Sequence, residues 1–332
     1  MTNERADLVL SGGGVKGVGL VGAVVALLDA GYSPQRISGT SAGSIVGAVV
    51  AAAAQTGAMT GAQVKELALQ LDYRRFLDPG PLERVPVIGP SQALLRGTGI
   101  YRGDYVREWV RSQLADLGVT TFGDLALDDD ELPPEQRYRL VVTVADVTLG
   151  RLVHLPWDYR RVYGLDPDEQ SVADAVRASM SIPFIFRPAS IASTAGLTST
   201  LVDGGLLSNF PLDSLDRTDG KPPRWPSFGI TLLPNLPDGN DGVIPALAAL
   251  RKLGAPHLLE DVLTTMLVGR DQAYLAQPWV EARAIRVDST DVGFLDFDIS
   301  ENEVEAQYLK GYGAAERFLA DWNWPAYLRR FR

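Results

Sequence analysis

The sequence contains no cysteine among its 332 residues. Disulfides, thiolate nucleophiles and zinc–thiolate sites are therefore excluded. Histidine is scarce as well, because His154 and His257 are the only two and they lie far apart along the chain. Two separated imidazoles do not make a histidine-rich metal site, so we expect neither a metal nor another cofactor.

Long apolar segments are also missing. The longest apolar run, 45–54, is much shorter than the roughly 20 residues that a helix needs to cross a bilayer. The first residues, M-T-N-E-R-A-D, lack the basic and apolar regions of a signal peptide. We therefore expect a cytoplasmic protein that meets a membrane, if at all, at its surface.

An excess of positive charge is the third absence. The chain has 31 basic and 41 acidic residues, a net charge of −10, which disfavours nucleic acid as a partner and a broad electrostatic attraction to anionic lipid. Its 46% hydrophobic content is that of a globular protein with a large core. No repeat or linker divides the chain, so we expect a single domain over 6–322.

The first sixty residues alternate between strand and helix patterns. An apolar strand at 7–10 leads into a glycine turn and a helix pattern at 18–30. A second strand ends around 36–38, and a helix of small residues follows at 44–54. This alternation predicts an α/β fold, with a mainly parallel sheet and helices on both faces.

Further elements follow in the rest of the chain. Strands are predicted at 139–146, 151–155, 226–233 and 283–287, and helices at 60–71, 105–117, 171–180, 244–253, 258–275 and 301–322. Surface or cap excursions are expected at about 55–135 and 234–280, and the Pro- and Gly-rich segment 78–99 is a candidate lid. The tail, 323–332, mixes aromatic and basic residues. Packing of its rings on the body is favoured over contact with a membrane interface.

The stretch Gly39–Gly43, G-T-S-A-G, fits the nucleophile elbow G-x-S-x-G. Such an elbow places a serine on a tight turn between a strand and a helix. Glycines at 39 and 43 suit the turn, because a Cβ would clash where backbone approaches backbone. The alternative is an ordinary strand-to-helix turn with Ser41 near the start of the helix.

The glycine turn Gly12–Gly17 follows the first strand and precedes the first helix. Successive glycine N–H groups next to a helix N-terminus form a site for negative charge. The turn also satisfies the dinucleotide pattern G-x-G-x-x-G. That pattern expects an acidic residue at the end of the second strand, where this chain has none. Nucleotide binding is therefore the weaker interpretation.

A third polar strand end is Leu201–Gly205, L-V-D-G-G. It presents the Asp203 carboxylate after an apolar strand, with Gly204 and Gly205 leaving its approach open. A plain turn between strands would have the same sequence. Because parallel sheets bind ligands at the carboxyl ends of their strands, we expect this strand end, the elbow and the glycine turn to face one crevice.

These residues support acyl transfer through a serine. Ser41 supplies the hydroxyl, and the N–H groups of Gly13 and Gly14 supply oxyanion donors. Neither histidine has the expected context for a base: His154 alternates with apolar strand residues, and His257 precedes a helix pattern. Asp203 remains as the base, which requires its proton affinity to be raised by burial beside Ser41.

The chain resembles the patatin-like phospholipase family. The motifs that carry the resemblance are G-G-G-V-K-G at 12–17, G-T-S-A-G at 39–43 and D-G-G at 203–205, supported by I-Y-R-G-D at 100–104 and R-A-S-M-S-I-P-F-I-F at 177–186, by S-N-F-P at 208–211 and by G-Y-G-A-A at 311–315. The resemblance spans nearly the whole chain. It implies a three-layer α/β/α fold and lipid acyl hydrolysis without a metal.

Carried over by motif, the resemblance makes Ser41 the nucleophile and Asp203 the base. The oxyanion site would be the backbone of the glycine turn, Gly12, Gly13 and Gly14, together with Lys16, where many members of the family have arginine. We therefore predict a hydrolase that cleaves esters of phospholipids or lysophospholipids at a membrane surface or micelle. The alternatives are an acyltransferase using the same dyad, a nucleotide-binding regulatory protein using Gly12–Gly17, and a silent lipid-binding module.

Overall fold

The computed structural model describes residues 4–57, 60–78, 99–232, 274–293 and 296–332. Within these ranges eight strands join in one sheet. In chain order they are β1 (Glu4–Leu10), β2 (Tyr32–Thr40), β3 (Leu140–Asp146), β4 (Arg151–Leu155), β5 (Ala189–Ala192), β6 (Thr198–Asp203), β7 (Ser227–Thr231) and β8 (Ala284–Arg286).

Eight α-helices lie in the same described ranges. They are α1 (Gly17–Asp29), α2 (Ala42–Thr56), α3 (Gly61–Leu69), α4 (Asp104–Asp116), α5 (Val172–Ser179), α6 (Pro278–Glu281), α7 (Glu301–Asp321) and α8 (Trp324–Phe331). Within the described ranges, no helix is both long and apolar enough to cross a membrane.

The sheet is parallel through its centre and antiparallel at one end. β8, β7, β1, β2 and β3 are neighbours in that order and run in the same direction. β4 and β6 pair antiparallel with β3, and β5 pairs antiparallel with β6. The predicted α/β fold with a mainly parallel sheet is confirmed.

Both faces of the sheet are covered. Along β1, Leu8 and Leu10 belong to the large apolar cluster that includes helices α1 and α2. Val9, between them, points to a smaller cluster on the other face, which contains Phe210 and Leu212. A strand that is buried on both faces is apolar at consecutive positions, which is why L-V-L was readable as a strand.

Most predicted elements lie within about two residues of their observed bounds. The largest difference is β2, for which only an end around 36–38 was predicted, whereas the strand spans Tyr32–Thr40. Pro34 lies in its first half and disfavours a strand, and the pairing of β1 with β2 shifts register between Ala6 and Leu8. β5 was not predicted, because its sequence A-S-I-A has too little apolar character.

Some predicted features lie outside the described residues. They are most of the candidate lid, at 79–98, and the helix at 244–253 with most of the one at 258–275. His257 lies in the same undescribed range.

The aromatic tail packs on the body, in agreement with the interpretation favoured from the sequence. Its residues form α8, in which Tyr327 is buried. Trp322, just before this helix, contacts Phe228 edge to face and also packs against Tyr327. Arg332 forms an ion pair with Asp216.

Helices α1 and α7 cross at glycines. A Cβ built on Gly311 would lie 1.9 Å from the carbonyl oxygen of Gly19, and one on Gly22 would lie 2.0 Å from that of Tyr308. Both oxygens belong to helix backbones, so neither can move away without shifting a helix. The two backbones therefore touch only because these positions lack side chains.

We expect Gly311→Ala to lower the free energy of unfolding by about 2 kcal/mol or more, because overpacking forces the helices apart. Gly313→Ala on the same helix is the matched control, since a Cβ there meets only the end of the Arg317 side chain. It should be neutral or stabilising by up to about 1 kcal/mol, as alanine is the better helix former. Urea unfolding measures both, and equal effects would contradict the close crossing.

Candidate active site

Ser41 occupies the elbow between β2 and α2 in a strained backbone conformation, with φ 52° and ψ −123°. Such values are rare for a residue with a side chain and are found at functional turns. A Cβ on Gly39 would lie 2.4 Å from the carbonyl oxygen of Gly43, and one on Gly43 would lie 2.4 Å from that of Leu10. The two motif glycines therefore let the turn close against β1.

A hydroxyl from a distant helix holds the elbow from below. The Ser41 N–H donates to the Ser179 hydroxyl oxygen (2.8 Å), and the Ser179 hydroxyl donates to the Thr143 carbonyl (2.8 Å). Ser179 is fully buried. On the carbonyl side of the elbow, the Ser44 hydroxyl donates to the Ser41 carbonyl (2.6 Å). Both backbone polar groups of the strained residue are thus engaged.

Strand register brings Asp203 to Ser41. Thr40, the last residue of β2, pairs with Thr143 on β3. The next position on β3, Val144, pairs with Asp203. Because β4 occupies the other edge of β3 at these positions, β2 and β6 share one edge and meet end to end. Ser41 and Asp203 therefore lie side by side where the two strands meet.

The expectation about strand direction was wrong for Asp203. From the rule for parallel sheets, the carboxylate was expected at the carboxyl end of a parallel strand, next to the strands that end in the elbow and the glycine turn. β6 instead runs antiparallel to β3 and reaches the end of β2 from the opposite direction. β3 continues past the end of its pairing with β2, so β6 can pair with the rest of the same edge. Gly204 permits the close approach of β6, because a Cβ there would lie 2.5 Å from the Thr143 carbonyl oxygen.

The Asp203 side chain is almost completely buried, with 1% exposure. Burial raises the pKa of Asp203 to about 7, against hydrogen bonds from the Ser41 hydroxyl and the Gly205 N–H that lower it. Its Oδ1 accepts the Gly205 N–H (2.8 Å). Its Oδ2 has no partner of strict hydrogen-bond geometry in the described part of the chain. The contact with the Ser41 hydroxyl therefore lacks the alignment of a strict hydrogen bond.

The glycine turn lies against the elbow. A Cβ on Gly12 would come within 3.0 Å of the Ser41 Cβ, and one on Gly17 within 3.1 Å of the Ala42 Cβ. The Gly12 N–H, however, already donates to the Asn209 side-chain oxygen (3.1 Å). This leaves Gly13 and Gly14, at the start of the helical segment where N–H groups have no intrahelical acceptor, as the available donors.

Lys16 is partly buried at the end of this turn. Burial lowers the pKa of its ammonium group, against the nearby carboxylates Asp291, Asp296 and Asp288, which raise it. Its charge is thus balanced by the loop that precedes α7. Gly14, Gly17 and Ser41 line the apolar pocket, whereas Lys16 is not among the lining residues. Its place in the oxyanion site stays a prediction.

His154 lies on β4, where it stacks on Trp157 with ring centroids 5.9 Å apart. Burial lowers the pKa of its imidazole, opposed by Asp158 and Asp213. On β4 it pairs with Thr143 of β3, so β3 lies between His154 and β2. These contacts agree with the predicted structural role and leave Asp203 as the titratable side chain in contact with Ser41.

An apolar pocket opens at Ser41. Its walls come from helices α1, α2, α3 and α4 and from the segment that follows α5. Aromatic rings from three separate segments pack together in its wall: Phe76 stacks on Phe297, and Phe186 meets Phe297 edge to face. Among the described residues that line it, only Ser41 and Tyr73 carry hydroxyls. The pocket suits a hydrocarbon chain attached to a group that reacts at Ser41.

Three supporting residues were not predicted individually. Asn209 fastens the glycine turn, and Ser179 fastens the elbow. Arg177 is buried and donates to the Ser181 hydroxyl (2.7 Å), while the Ser181 carbonyl accepts the Asp203 N–H (2.9 Å). All three lie in the blocks 177–186 and 208–211, which were noted only as part of the family resemblance.

The acidic loop 128–134 is held by arginines. Asp129 pairs with Arg224 (2.7 Å), Asp130 with Arg137 (3.0 Å) and Glu131 with Arg217 (3.0 Å). No cluster of metal-ligating side chains is found among the residues that the structure describes.

Comparison with known proteins identifies the family. The family model of patatin-like phospholipases matches residues 8–216, more than half of the chain and all of the motifs above up to S-N-F-P. The chain belongs to the patatin-like phospholipase family. It is also 32% identical over 322 residues to the uncharacterized protein YqhO of Bacillus subtilis strain 168, covering 96% of this chain and 99% of that protein.

A solved structure shares the fold. VipD from Legionella pneumophila superposes with a TM-score of 0.53 at 18% identity, over 96% of this chain and 67% of VipD. The type III effector ExoU of Pseudomonas aeruginosa gives a TM-score of 0.44 at 15% identity, over 95% of this chain and 53% of ExoU. The likeness to VipD and the sheet flanked by helices confirm the α/β/α architecture predicted from the motifs.

The burial of Asp203 predicts an unusual pH dependence of stability. Its folded-state pKa of about 7 exceeds the unfolded value of 3.8, so the folded state binds this proton more tightly. The resulting contribution to the free energy of unfolding is complete below about pH 4 and is lost as the pH rises through 7. Asp203→Asn keeps the acceptor for Gly205 without the charge. We expect it to stabilise the protein at pH 8 by a few kcal/mol, since each pKa unit is worth about 1.4 kcal/mol, and by much less at pH 5. Urea unfolding at both pH values is the measurement, and an equal effect at both would contradict the raised pKa.

Ser179→Ala should slow the reaction of Ser41 with a fluorophosphonate probe by about 10- to 100-fold. The variant leaves the buried Ser41 N–H without an acceptor, a cost of about 1–3 kcal/mol that falls on the elbow. Ser179→Thr retains a hydroxyl and should recover most of the labelling rate. Unchanged labelling in a folded Ser179→Ala protein would show that the elbow does not need this brace.

Proposed function

We propose that this protein hydrolyses carboxylic esters of phospholipids or lysophospholipids, with Ser41 as nucleophile and Asp203 as its base. Membership of the patatin-like phospholipase family supports an activity on lipid acyl groups. The observation that carries the assignment of residues is the end-to-end meeting of β2 and β6, which sets the buried carboxylate beside the elbow hydroxyl. We place this activity at a membrane surface or micelle, reached from the cytoplasm.

In the proposed reaction, the Ser41 oxygen attacks the ester carbonyl while Asp203 accepts its proton. The alcohol leaves with that proton, and a water molecule then hydrolyses the acyl-serine with Asp203 again as base. A solvated aspartate is a weak base for a hydroxyl, but one whose pKa is raised to about 7 by burial is better matched to the transfer. Oδ2, which has no partner of strict hydrogen-bond geometry among the described residues, is the atom available to take the proton.

The oxyanion is assigned to the N–H groups of Gly13 and Gly14. Gly12 and Asn209 contribute by holding the turn against the elbow, because the Gly12 N–H is engaged and the Asn209 amide also donates to the Gly12 carbonyl (3.4 Å). One such donor typically contributes about 3 kcal/mol to lowering the barrier. The helix α1 begins at this turn, and its N-terminal dipole adds to the positive potential.

Nucleotide binding is less well supported by the same turn. A Cβ on Gly12 would lie 2.3 Å from the Asn209 side chain, and one on Gly13 would lie 2.4 Å from Leu232. The Cα atoms of both glycines are therefore packed against side chains, and β2 ends in S-G-T without the acidic residue that the dinucleotide pattern expects. Transfer of the acyl group to an alcohol instead of water would use the same residues, and product analysis with a competing alcohol separates the two reactions.

Turnover of a chromogenic fatty ester tests the dyad. We expect Ser41→Ala to abolish it and Asp203→Asn to reduce kcat/KM by on the order of 10³–10⁴, as losing the base does in other serine enzymes. In the wild type, kcat/KM should rise with pH and level off above about 7, because Asp203 must be ionised to accept the proton.

The matched control replaces both imidazoles, His154→Gln with His257→Gln. The double variant should keep turnover within about fivefold of the wild type. Loss of activity in a double variant that remains folded would contradict the dyad and restore a histidine as base. Labelling of Ser41 by a fluorophosphonate probe would count against a catalytically silent lipid-binding module.

A further inference from the structure

Two hairpins project beside the site. β3 and β4 are joined by a turn at 147–150, and β5 and β6 by a turn at 193–197. The Val147 N–H donates to the Thr200 carbonyl (3.0 Å), and the Thr200 N–H donates to the Thr148 hydroxyl (2.8 Å). The turns are thus linked, and together residues 147–151 and 193–198 are called the two-hairpin tip.

The two-hairpin tip extends beyond the carboxyl ends of β2 and β3. This is the same end of the sheet that carries Ser41. Thr143 lies level with the end of β2, and Asp203 is the last residue of β6. Leu149 follows Thr143 by six positions, which is a climb of at most about 20 Å along β3. A surface that contacts the tip is therefore on the same side of the molecule as the serine and the carboxylate.

The two-hairpin tip is apolar for an exposed surface. Of the five large hydrophobic side chains exposed within the described residues, three lie on it: Val147 is 46% exposed, Leu149 41% and Leu197 47%. The other two, Leu69 and Leu309, lie singly on α3 and α7. Single exposed leucines are common, whereas three on two linked turns mark an interaction site.

The charge of the two-hairpin tip points to the chemistry of its partner. Arg151 is its only charged residue, on a chain whose net charge is −10. Its other exposed side chains are small or carry hydroxyls, such as Thr148 and Thr194. An apolar tip without carboxylates suits the phosphate and acyl layers of a lipid surface, where a carboxylate would be repelled and costly to desolvate.

We propose that the two-hairpin tip docks this protein on a phospholipid surface. Val147, Leu149 and Leu197 insert below the headgroups, and Arg151 lies at the level of the phosphates. The proposal rests on the proposed function, because a lipid ester has to leave such a surface to reach Ser41. Three aliphatic side chains give weak, reversible binding, which permits the protein to move between surfaces.

The absence of cysteine allows a clean test in the full chain. In a Ser41→Ala background, which leaves the vesicles intact, Leu149→Cys and Leu309→Cys are each labelled with an environment-sensitive fluorophore. On phosphatidylcholine vesicles, the probe at 149 should shift to the blue and brighten, while the probe at 309, which replaces the 58% exposed Leu309, should not. No change at 149, or an equal change at both positions, would overturn the proposal. So would a shift that follows protein concentration without lipid, because it would assign the tip to a second copy of the chain.

A second measurement uses activity. The variant Val147→Ser, Leu149→Ser, Leu197→Ser should lose about tenfold in hydrolysis of phosphatidylcholine vesicles and in co-sedimentation with them. Its hydrolysis of a soluble short-chain ester should stay within twofold of the wild type, since the tip does not line the pocket. An equal loss on both substrates would overturn the docking role. If the wild type hydrolyses neither substrate, the proposed function fails, and the labelling of the inactive background decides the docking by itself.

Discussion

One edge of β3 is shared by two strands that run in opposite directions. β2 occupies its first half and β6 its second, and the last residues of both strands meet at Thr143 and Val144. The hydrogen-bond register of the sheet, rather than any flexible loop, therefore sets the separation between Ser41 and Asp203. A shift of one residue in either strand would turn the side chains to the other face. The elbow, the Asp203 carboxylate and the pocket all depend on this junction.

Several polar groups are buried around the junction at a cost in stability. Asp203 has a desolvated carboxylate, Ser41 holds a strained backbone, and both are supported from the sequence block 177–186. Helix α5 and the segment after it thus act as one support, because Ser179 contacts the elbow and Ser181 contacts Asp203 at the end of β6. The desolvated carboxylate and the strained backbone both lower stability, and the surrounding helices and sheet hold them in place.

The order of strands and helices, and the three polar turns, could be predicted from the sequence because each has a local cause. Glycines at 39 and 43 are required by backbone contacts, and L-V-L in β1 is apolar because both faces are buried. The direction of β6 could not be predicted, since a strand end looks the same whichever way its neighbour runs. Ser179 and Asn209 could not be assigned roles either, because each acts on residues far away in sequence, 197 positions in the case of Asn209 and Gly12. The role of Arg177 could not be predicted because it reaches Asp203 only through Ser181.

The position of β1 bears on how the chain is made. This first strand lies in the middle of the sheet, between β2 and β7, and Ser11 at its end bonds with Leu232, 221 positions later. During synthesis β2 can pair at once, but the other edge of β1 has no partner until β7 leaves the ribosome. At about 5–20 residues per second, that edge stays open for about ten seconds or more. An unpaired strand edge can pair with other chains. The nascent polypeptide is therefore prone to aggregation, and needs protection from it, until β7 is synthesised.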